Sequence, residues 1–213
     1  MKVVNLYLAL SASILAIAGV GRAAETGASV STRDLQAKIE YCQTCHGLSG
    51  EGYRGDSTMP RLAGQKTEYL ENQLQDFSVL KRKNNFMFAV THGLTPAMIP
   101  ALAAHFRDLN PKAVTNAPRE LVAAGKNIFE EGVPAAAVPP CASCHGPEAK
   151  GDGAFPRLAG QLYDYTRKEL ANWSKDRGKD PAKPDTSDIM QSIAHALTEA
   201  QIAAVAAYLN YLE

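Results

Sequence analysis

The feature that most constrains this chain of 213 residues is a five-residue motif that occurs twice. Residues 42–46 (CQTCH) and 141–145 (CASCH) both read Cys-x-x-Cys-His, and together they contain all 4 cysteines. In this motif two thiols form thioethers to the vinyl groups of a porphyrin, and the adjacent histidine becomes an axial ligand of the iron. The sequence therefore predicts two covalently bound haem c groups. The attachment residues are Cys42, Cys45, Cys141 and Cys144, and the first axial ligands are His46 and His145.

Other uses of the cysteines fit the pattern less well. Two disulfides would suit an exported protein, but a histidine directly after the second cysteine, twice, has no role in a disulfide. The two pairs also lie too far apart in sequence for a zinc ribbon. A thioredoxin-like redox pair would need a βαβ context, and the sequence has no such pattern.

The N-terminal segment resembles an export signal. Lys2 precedes an apolar stretch from Val3 to Val20, and the small residues of 21–24 follow, which is the order typical of a secretory signal peptide. We expect cleavage after Ala23, so that residues 1–23 are the signal peptide and the mature protein lies in the periplasm. The alternative is an uncleaved membrane anchor, since the apolar run is near spanning length.

The charge balance excludes one class of partner. Lys and Arg number 22, Asp and Glu number 22, and the formal net charge is zero. Nucleic-acid-binding domains carry a basic excess, so we expect no nucleic-acid partner.

Similarity between the two halves extends beyond the haem motifs, which indicates an internal duplication. The segment 60–65, PRLAGQ, recurs letter for letter at 156–161, and a Leu-Thr pair at 94–95 recurs at 197–198. We therefore predict two domains of the same fold. Their bounds are 24–110 and 119–213, with a linker at 111–118 that is bracketed by prolines and lacks helical periodicity.

The periodicity of both halves is helical. Apolar residues at helical spacing lead into each haem motif, and the stripe around Tyr69 and Phe77 is mirrored around Tyr165 and Trp173. The closing helices are predicted to begin after Thr95 and Thr198 as N-caps, the first with proline at its opening position. Strand-like alternation is absent, so we predict an all-α fold in which a buried macrocycle supplies apolar surface that so short a domain lacks.

The duplication also selects a second axial ligand for each iron. Cytochromes use a methionine thioether there, which raises the reduction potential. Met87 and Met190 stand at the same distance before the repeated Leu-Thr pair, whereas Met59 and Met98 have no methionine counterpart. We therefore predict Met87 and Met190 as ligands, although methionines are more often core fillers.

Histidine offers a rival ligand pair. His92 and His195 also match between the halves, and each lies five residues after the methionine. Imidazole can ligate haem iron and would lower the potential, but five residues along a helix point a side chain away from the face of the methionine. The role of these two histidines stays open.

With two haem motifs, two PRLAGQ segments and two matched methionines, the chain resembles the cytochrome c4 family, diheme c-type cytochromes of bacterial periplasms. The resemblance covers nearly everything after the signal peptide, including the lead-in at 132–140 that lengthens the second half. It implies a tandem duplication of two cytochrome c domains, each wrapped around one haem c. The haems would lie close enough for rapid electron transfer between them.

The resemblance gives the duplicated segment a role. The carbonyls of Pro60 and Pro156 would accept the Nδ1 proton of the haem histidine and fix its ring. Arg61 and Arg157 would pair with haem propionates. Between the middle helix and the methionine, each half carries a charged segment, at 81–85 and 175–184. We expect solvated loops there, one of which docks a redox partner.

The predicted function is electron transfer without substrate chemistry, because an iron with six ligands leaves no position for a reactant. The family implies a carrier between a quinol-oxidising bc complex and a terminal oxidase, with any membrane association occurring through those partners. One alternative is a subunit that accepts electrons from a dehydrogenase such as a sulfide-oxidising flavoprotein. A diheme peroxidase is less favoured, since it needs an open axial site.

Overall fold

The computed structural model describes residues 30–55, 57–177 and 186–213, and their regular secondary structure is helical. Strand-like pairing among these residues is limited to isolated bridges, such as the one between Tyr53 and Met59. The all-α prediction is thereby confirmed. The predicted signal peptide, 1–23, lies outside the described residues. Within the described ranges, no helix combines the length and the hydrophobicity that a membrane span requires.

The first half contains a long helix, a middle helix, a short helix and a closing helix. Helix α1 runs through the haem motif to its histidine, and the Ser31 hydroxyl caps it by accepting a hydrogen bond from the Asp34 amide at 3.1 Å. A loop with the PRLAGQ segment leads to α2. The helices are α1 (Thr32–His46), α2 (Thr67–Ser78), α3 (Asn85–His92) and α4 (Met98–Arg107).

The second half repeats this order with two breaks, one before the haem motif and one at Asn172, which interrupts the middle helix. The first helix ends at Glu131, and a 3₁₀ turn at Pro134–Ala136 carries the chain to a short helix that contains the last four residues of the second haem motif. A further 3₁₀ turn lies at Arg119–Leu121. The helices are α5 (Val122–Glu131), α6 (Ala142–His145), α7 (Tyr163–Ala171), α8 (Trp173–Asp176), α9 (Thr186–Ala196) and α10 (Glu199–Tyr211).

Each half has its own core on one side of its haem motif. In the second half, Phe129 of α5 is fully buried against Tyr208 of α10, with ring centroids 5.5 Å apart. Gly125 allows this close crossing, because a Cβ there would come within 2.6 Å of the carbonyl carbon of Ala204. In the first half, Leu70 and Phe106 form the corresponding cluster between α2 and α4.

The two closing helices begin differently, which corrects one of the two predicted caps. Thr198 caps α10 as predicted, whereas α4 begins only at Met98, and among the described residues no side chain caps it. Residues 95–97 instead form a turn closed by the Met98 amide on the Thr95 carbonyl. Pro100 explains the difference, because it has no N–H to donate to the carbonyl of Pro96.

The charged segments also differ from the expectation of solvated loops. Arg82 and Arg177 form a bridge between the two halves, and the side chains of both are less than one-tenth exposed. The prediction of solvation is therefore wrong for these two arginines. Residues 178–184 of the second segment lie outside the described part of the chain.

Candidate haem-binding sites

The histidine of each haem motif is buried and held by one main-chain carbonyl. Nδ1 of His46 donates to the Pro60 carbonyl at 2.9 Å, and Nδ1 of His145 donates to the Pro156 carbonyl at 2.9 Å. The predicted acceptors are confirmed. With Nδ1 bonded, Nε2 is the nitrogen left for iron. Burial lowers the pKa of both imidazoles, which favours the neutral form that binds a metal.

The loop that brings each proline to its histidine folds back at a glycine. The amide of Gly52 donates to the His46 carbonyl at 2.8 Å, and Gly151 does the same at the His145 carbonyl. Both glycines have positive φ, and a Cβ on Gly52 would lie 2.9 Å from the Arg61 amide. Only glycine fits this combination of backbone conformation and close approach.

The four thiols have the same arrangement in both halves. Cys42 and Cys141 are partly buried, while Cys45 and Cys144 are exposed. Burial raises the pKa of Cys42 to about 11 and that of Cys141 to about 11. The first thiol of each pair is therefore harder to ionise than an ordinary cysteine thiol.

The methionines and their rival histidines occupy different environments. Met87 in α3 and Met190 in α9 are half-buried, whereas His92 and His195 are exposed. Nδ1 of His92 donates to the Phe88 carbonyl of its own helix at 2.8 Å. Nε2 of His195 lies 2.5 Å from the Ser174 hydroxyl.

The two arginines of the repeated segment lie at the contact between the halves. The Arg61 guanidinium donates to the carbonyls of Ala63, Pro111 and Lys112, at 3.1, 2.8 and 3.4 Å. Burial and then the charge of Arg157 lower the pKa of Arg61 to about 10. Both arginines line a cavity of about 230 Å³ that also contains Lys112 and the C-terminal residue Glu213. The positive charges in this cavity suit a carboxylate such as a haem propionate. The pairing of both arginines with propionates stays a prediction.

The last residue of each PRLAGQ segment makes a contact that the sequence did not predict. Gln65 accepts from the Arg157 amide at 2.7 Å and donates to the Arg157 carbonyl at 2.9 Å. Gln161 accepts from the Arg61 amide at 2.9 Å and donates to the Arg61 carbonyl at 3.1 Å. This glutamine pair, Gln65 and Gln161, relates the halves by approximate twofold symmetry. The sequence does contain a sign of this contact: the glutamine is repeated in both PRLAGQ segments, and haem binding gives a role to the proline and the arginine but none to the glutamine.

The donor set fits a covalent haem in each half. Each motif supplies two thiols and one imidazole with Nε2 available, and a half-buried thioether is carried by α3 or α9. The thiols and the imidazole thus lie on α1 in the first half, and on α6 and its N-cap residue in the second. A haem there would supply a reversible one-electron couple, and the chain would supply its attachment, ligands and surroundings.

Comparisons with known proteins agree with this geometry. The Cytochrome c family model matches residues 35–115 and 122–213. Cytochrome c4 of Thiocapsa roseopersicina is 37% identical over 175 residues, covering 80% of this chain and 86% of that protein. The thiosulfate dehydrogenase electron acceptor of Thiomonas intermedia is 33% identical over 199 residues, covering 92% and 89%.

A solved structure extends the similarity to the whole fold. The crystal structure of reduced recombinant cytochrome c4 from Pseudomonas stutzeri matches with a TM-score of 0.75 at 29% identity, covering 87% of this chain and 100% of that chain. The names of these relatives are those of electron carriers and acceptors rather than enzymes. The duplicated haem motifs, the repeated helical fold and these matches show that the chain belongs to the diheme cytochrome c4 family, and is an electron-transfer protein with two covalent haem c groups.

Proposed function

We propose that this protein is a periplasmic electron shuttle with His/Met ligation at both irons, which accepts electrons from a quinol-oxidising bc complex and delivers them to a terminal oxidase. The observation that carries the ligation is the matched placement of Met87 and Met190. Each is half-buried on the helix that precedes the closing helix, while the matched histidines are exposed. Methionine ligation raises the potential of the haem, which suits a carrier late in a respiratory chain.

Complete coordination also sets the kind of reaction. If His46 and Met87 hold one haem and His145 and Met190 hold the other, a reactant would have no coordination position to occupy. Arg61 and Arg157, which line the cationic cavity between the halves, would neutralise propionates and hold the macrocycles in place. The only chemistry left to each site is the gain and loss of one electron.

The ligand assignment is tested by optical redox titration of single variants. Ferric haem with methionine sulfur on iron has a weak far-red absorption band. We expect Met87→Ala to remove the part of that band due to one haem and Met190→Ala to remove the part due to the other. Met59→Ala is the matched control and should leave the band intact. An intact band in either ligand variant would refute that assignment.

A second function has specific support from the comparisons. The relative from Thiomonas intermedia is named as an electron acceptor of thiosulfate dehydrogenase. A structure of thiosulfate dehydrogenase from Marichromatium purpuratum also matches, with a TM-score of 0.71 at 34% identity, covering 81% of this chain and 36% of that chain. Among dehydrogenase partners, these matches favour an enzyme that oxidises thiosulfate over a sulfide-oxidising flavoprotein.

Reduction kinetics distinguish the two functions. The ferric holoprotein is mixed in separate experiments with bc complex plus quinol and with thiosulfate dehydrogenase plus thiosulfate, at low and high salt. The shuttle function predicts fast reduction by the bc complex and fast reoxidation by oxidase-containing membranes. Fast reduction by the dehydrogenase alone would replace it with the acceptor function.

A further inference from the structure

Two buried arginines meet where the halves contact each other. Arg82 follows α2, Arg177 follows α8, and the two residues form an antiparallel bridge. Beside the bridge, the Lys83 amide donates to the Asp176 carbonyl at 2.7 Å. The side chains of Arg82 and Arg177 are only 9% and 8% exposed, so both guanidiniums need partners within the protein.

One residue from each half accepts from both arginines. The Oε1 atom of Gln73 accepts from Arg82 and from Arg177, each at 2.8 Å. The Oε2 atom of Glu169 accepts from the same two guanidiniums, each at 2.8 Å. The hydroxyl of Tyr165 accepts one more hydrogen bond from Arg82, at 2.7 Å. These five residues form what we call the arginine cluster.

The arginine cluster follows the duplication. Gln73 and Glu169 stand at the same distance after their PRLAGQ segments, so they occupy equivalent positions in the two halves. The aromatic residues behind the arginines are equivalent as well. The Arg82 guanidinium lies 4.7 Å from the ring centroid of Phe77, and that of Arg177 lies 4.2 Å from the Trp173 ring.

The two equivalent acceptors differ in charge, because Gln73 in the first half is a neutral amide and Glu169 in the second half is a carboxylate. Glu169 is therefore the group in the cluster that balances part of the charge of two buried guanidiniums. Removing one partner of a buried ion pair leaves the other charge without compensation, which is strongly destabilising. Here the contact between the domains would lose stability, since Arg82 belongs to one half and Glu169 to the other.

We propose that Glu169 is a positioning residue, which pairs with Arg82 and Arg177 to hold the two haem domains in the orientation required for electron transfer between the haems. The inference rests on the diheme electron-transfer function and adds the device that fixes its geometry. Electron tunnelling weakens steeply with distance, so a domain contact that opens would interrupt transfer between the haems while leaving each haem site intact.

Trypsin provides a direct measure of opening in the holoprotein. The linker contains Lys112, and its carbonyl, which belongs to the scissile bond, accepts a hydrogen bond from Arg61 of the first domain. Asn210 of the second domain donates to the Val114 carbonyl two residues further on, so the linker is held by both halves, and we expect cleavage after Lys112 to become faster when the contact opens. When opening is fast relative to cleavage, the cleavage rate follows the open population. We expect Glu169→Gln to raise that rate on the order of a hundredfold, because a buried ion pair is broken.

Electron transfer provides the second measure. One haem is reduced by a short light pulse, and redistribution of the electron to the other haem is followed optically. The fast phase should shrink in Glu169→Gln by the fraction of molecules that trypsin reports as open. Glu130→Gln is the matched control, because Glu130 forms an exposed ion pair with Lys126 within the single helix α5. It should change neither measure.

A charge swap separates positioning from a general loss of stability. Gln73→Glu combined with Glu169→Gln moves the carboxylate to the equivalent position, where both arginines still reach it. The swap should restore slow cleavage and the fast phase, whether or not Glu169→Gln alone can be purified. Unchanged cleavage in Glu169→Gln, or a swap that fails to restore both measures, would overturn the proposal. The far-red band reports methionine ligation separately in every variant.

Discussion

At the scale of single residues, a buried amide shows how far the sequence determines the path of the chain. Asn210 of α10 is fully buried, and its side chain bonds to the main chain of two other segments. Oδ1 accepts from the amides of Asn116 and Ala117 at 2.9 and 3.2 Å. Nδ2 donates to the carbonyls of Val114 and Gln161 at 3.1 and 2.9 Å. One side chain therefore joins the predicted linker to the PRLAGQ segment of the second half.

We predict that Asn210→Leu destabilises the protein by about 3 kcal/mol or more, because it leaves several buried main-chain groups without hydrogen bonds. Urea unfolding followed by circular dichroism measures the change. Asn172→Leu is the control, since its side-chain amide donates to the Lys168 carbonyl one turn earlier, in an exposed position. Equal losses in the two variants would contradict this account of Asn210.

The residues that sequence could assign are those whose chemistry is local or repeated. The attachment cysteines, the haem histidines and their proline acceptors belong to duplicated segments, and the histidine contacts are as expected. Asn210 has no asparagine counterpart in the first half, and its partners are distant in sequence. Nothing in its own neighbourhood therefore indicates its role. The partners of Arg61 were missed for the same reason, because two of its acceptors lie in the linker.

At the scale of helices, the duplication provides a matched pair of helix starts. Thr198 forms a capping box with Gln201: the Thr198 hydroxyl accepts from the Gln201 amide, and the Gln201 side chain accepts from the Thr198 amide. Thr95 occupies the equivalent position before α4, but the helix begins three residues later. The same residue type is therefore a cap in one half and a turn residue in the other.

This difference predicts unequal effects of the same substitution. Thr198→Ala should lower the free energy of unfolding by about 1 kcal/mol, as expected for loss of an N-cap. Thr95→Ala should leave it nearly unchanged, because no side-chain cap is lost. Chemical denaturation of the two variants in parallel checks the prediction. A loss at Thr95 as large as that at Thr198 would show that the turn before α4 depends on its hydroxyl.

The existence and order of helices could be predicted, while their exact starts could not. The helical spacing of apolar residues extends over a whole helix, and it is present in both halves of the sequence. A helix start depends on single hydrogen bonds, so Pro100, four residues after Pro96, is enough to move it. The break between α5 and α6 was visible in the sequence as the proline-rich stretch 132–140, because prolines interrupt the helical hydrogen-bond pattern.

At the scale of the whole molecule, the contact between the domains is the part that sequence reasoning missed. The repeated segments predict that the halves share a fold, but not which surfaces face each other. Among the described residues, the contacts that join them include the glutamine pair, which bonds to main chain, and the arginine cluster, which buries charge. The arginines were expected in solvent because charge runs usually are solvated, and only the fold brings them onto Gln73 and Glu169.

The arginine cluster should make the contact between the domains sensitive to acid. Burial alone would raise the pKa of Glu169, but Arg82 and Arg177 outweigh burial and hold this pKa below its ordinary value. In an open form the carboxyl would titrate near its usual pKa of about 4.3, whereas the closed form takes up the proton only at lower pH. The ionised Glu169 carboxylate therefore stabilises the closed form fully at pH values above its ordinary pKa. This stabilisation is lost as the pH falls through the lower pKa that Glu169 has in the closed form.

We therefore predict that the radius of gyration of the wild-type holoprotein, measured by small-angle X-ray scattering, increases as the pH is lowered below about 4. Glu169→Gln has no carboxyl group to titrate at this position, so it should be expanded already at neutral pH and should change less on acidification. The two curves should converge in acid, because a protonated glutamic acid and a glutamine are both neutral beside the arginines. Parallel curves at all pH values would mean that other carboxyl groups control the opening, and that Glu169 contributes no acid sensitivity to the contact.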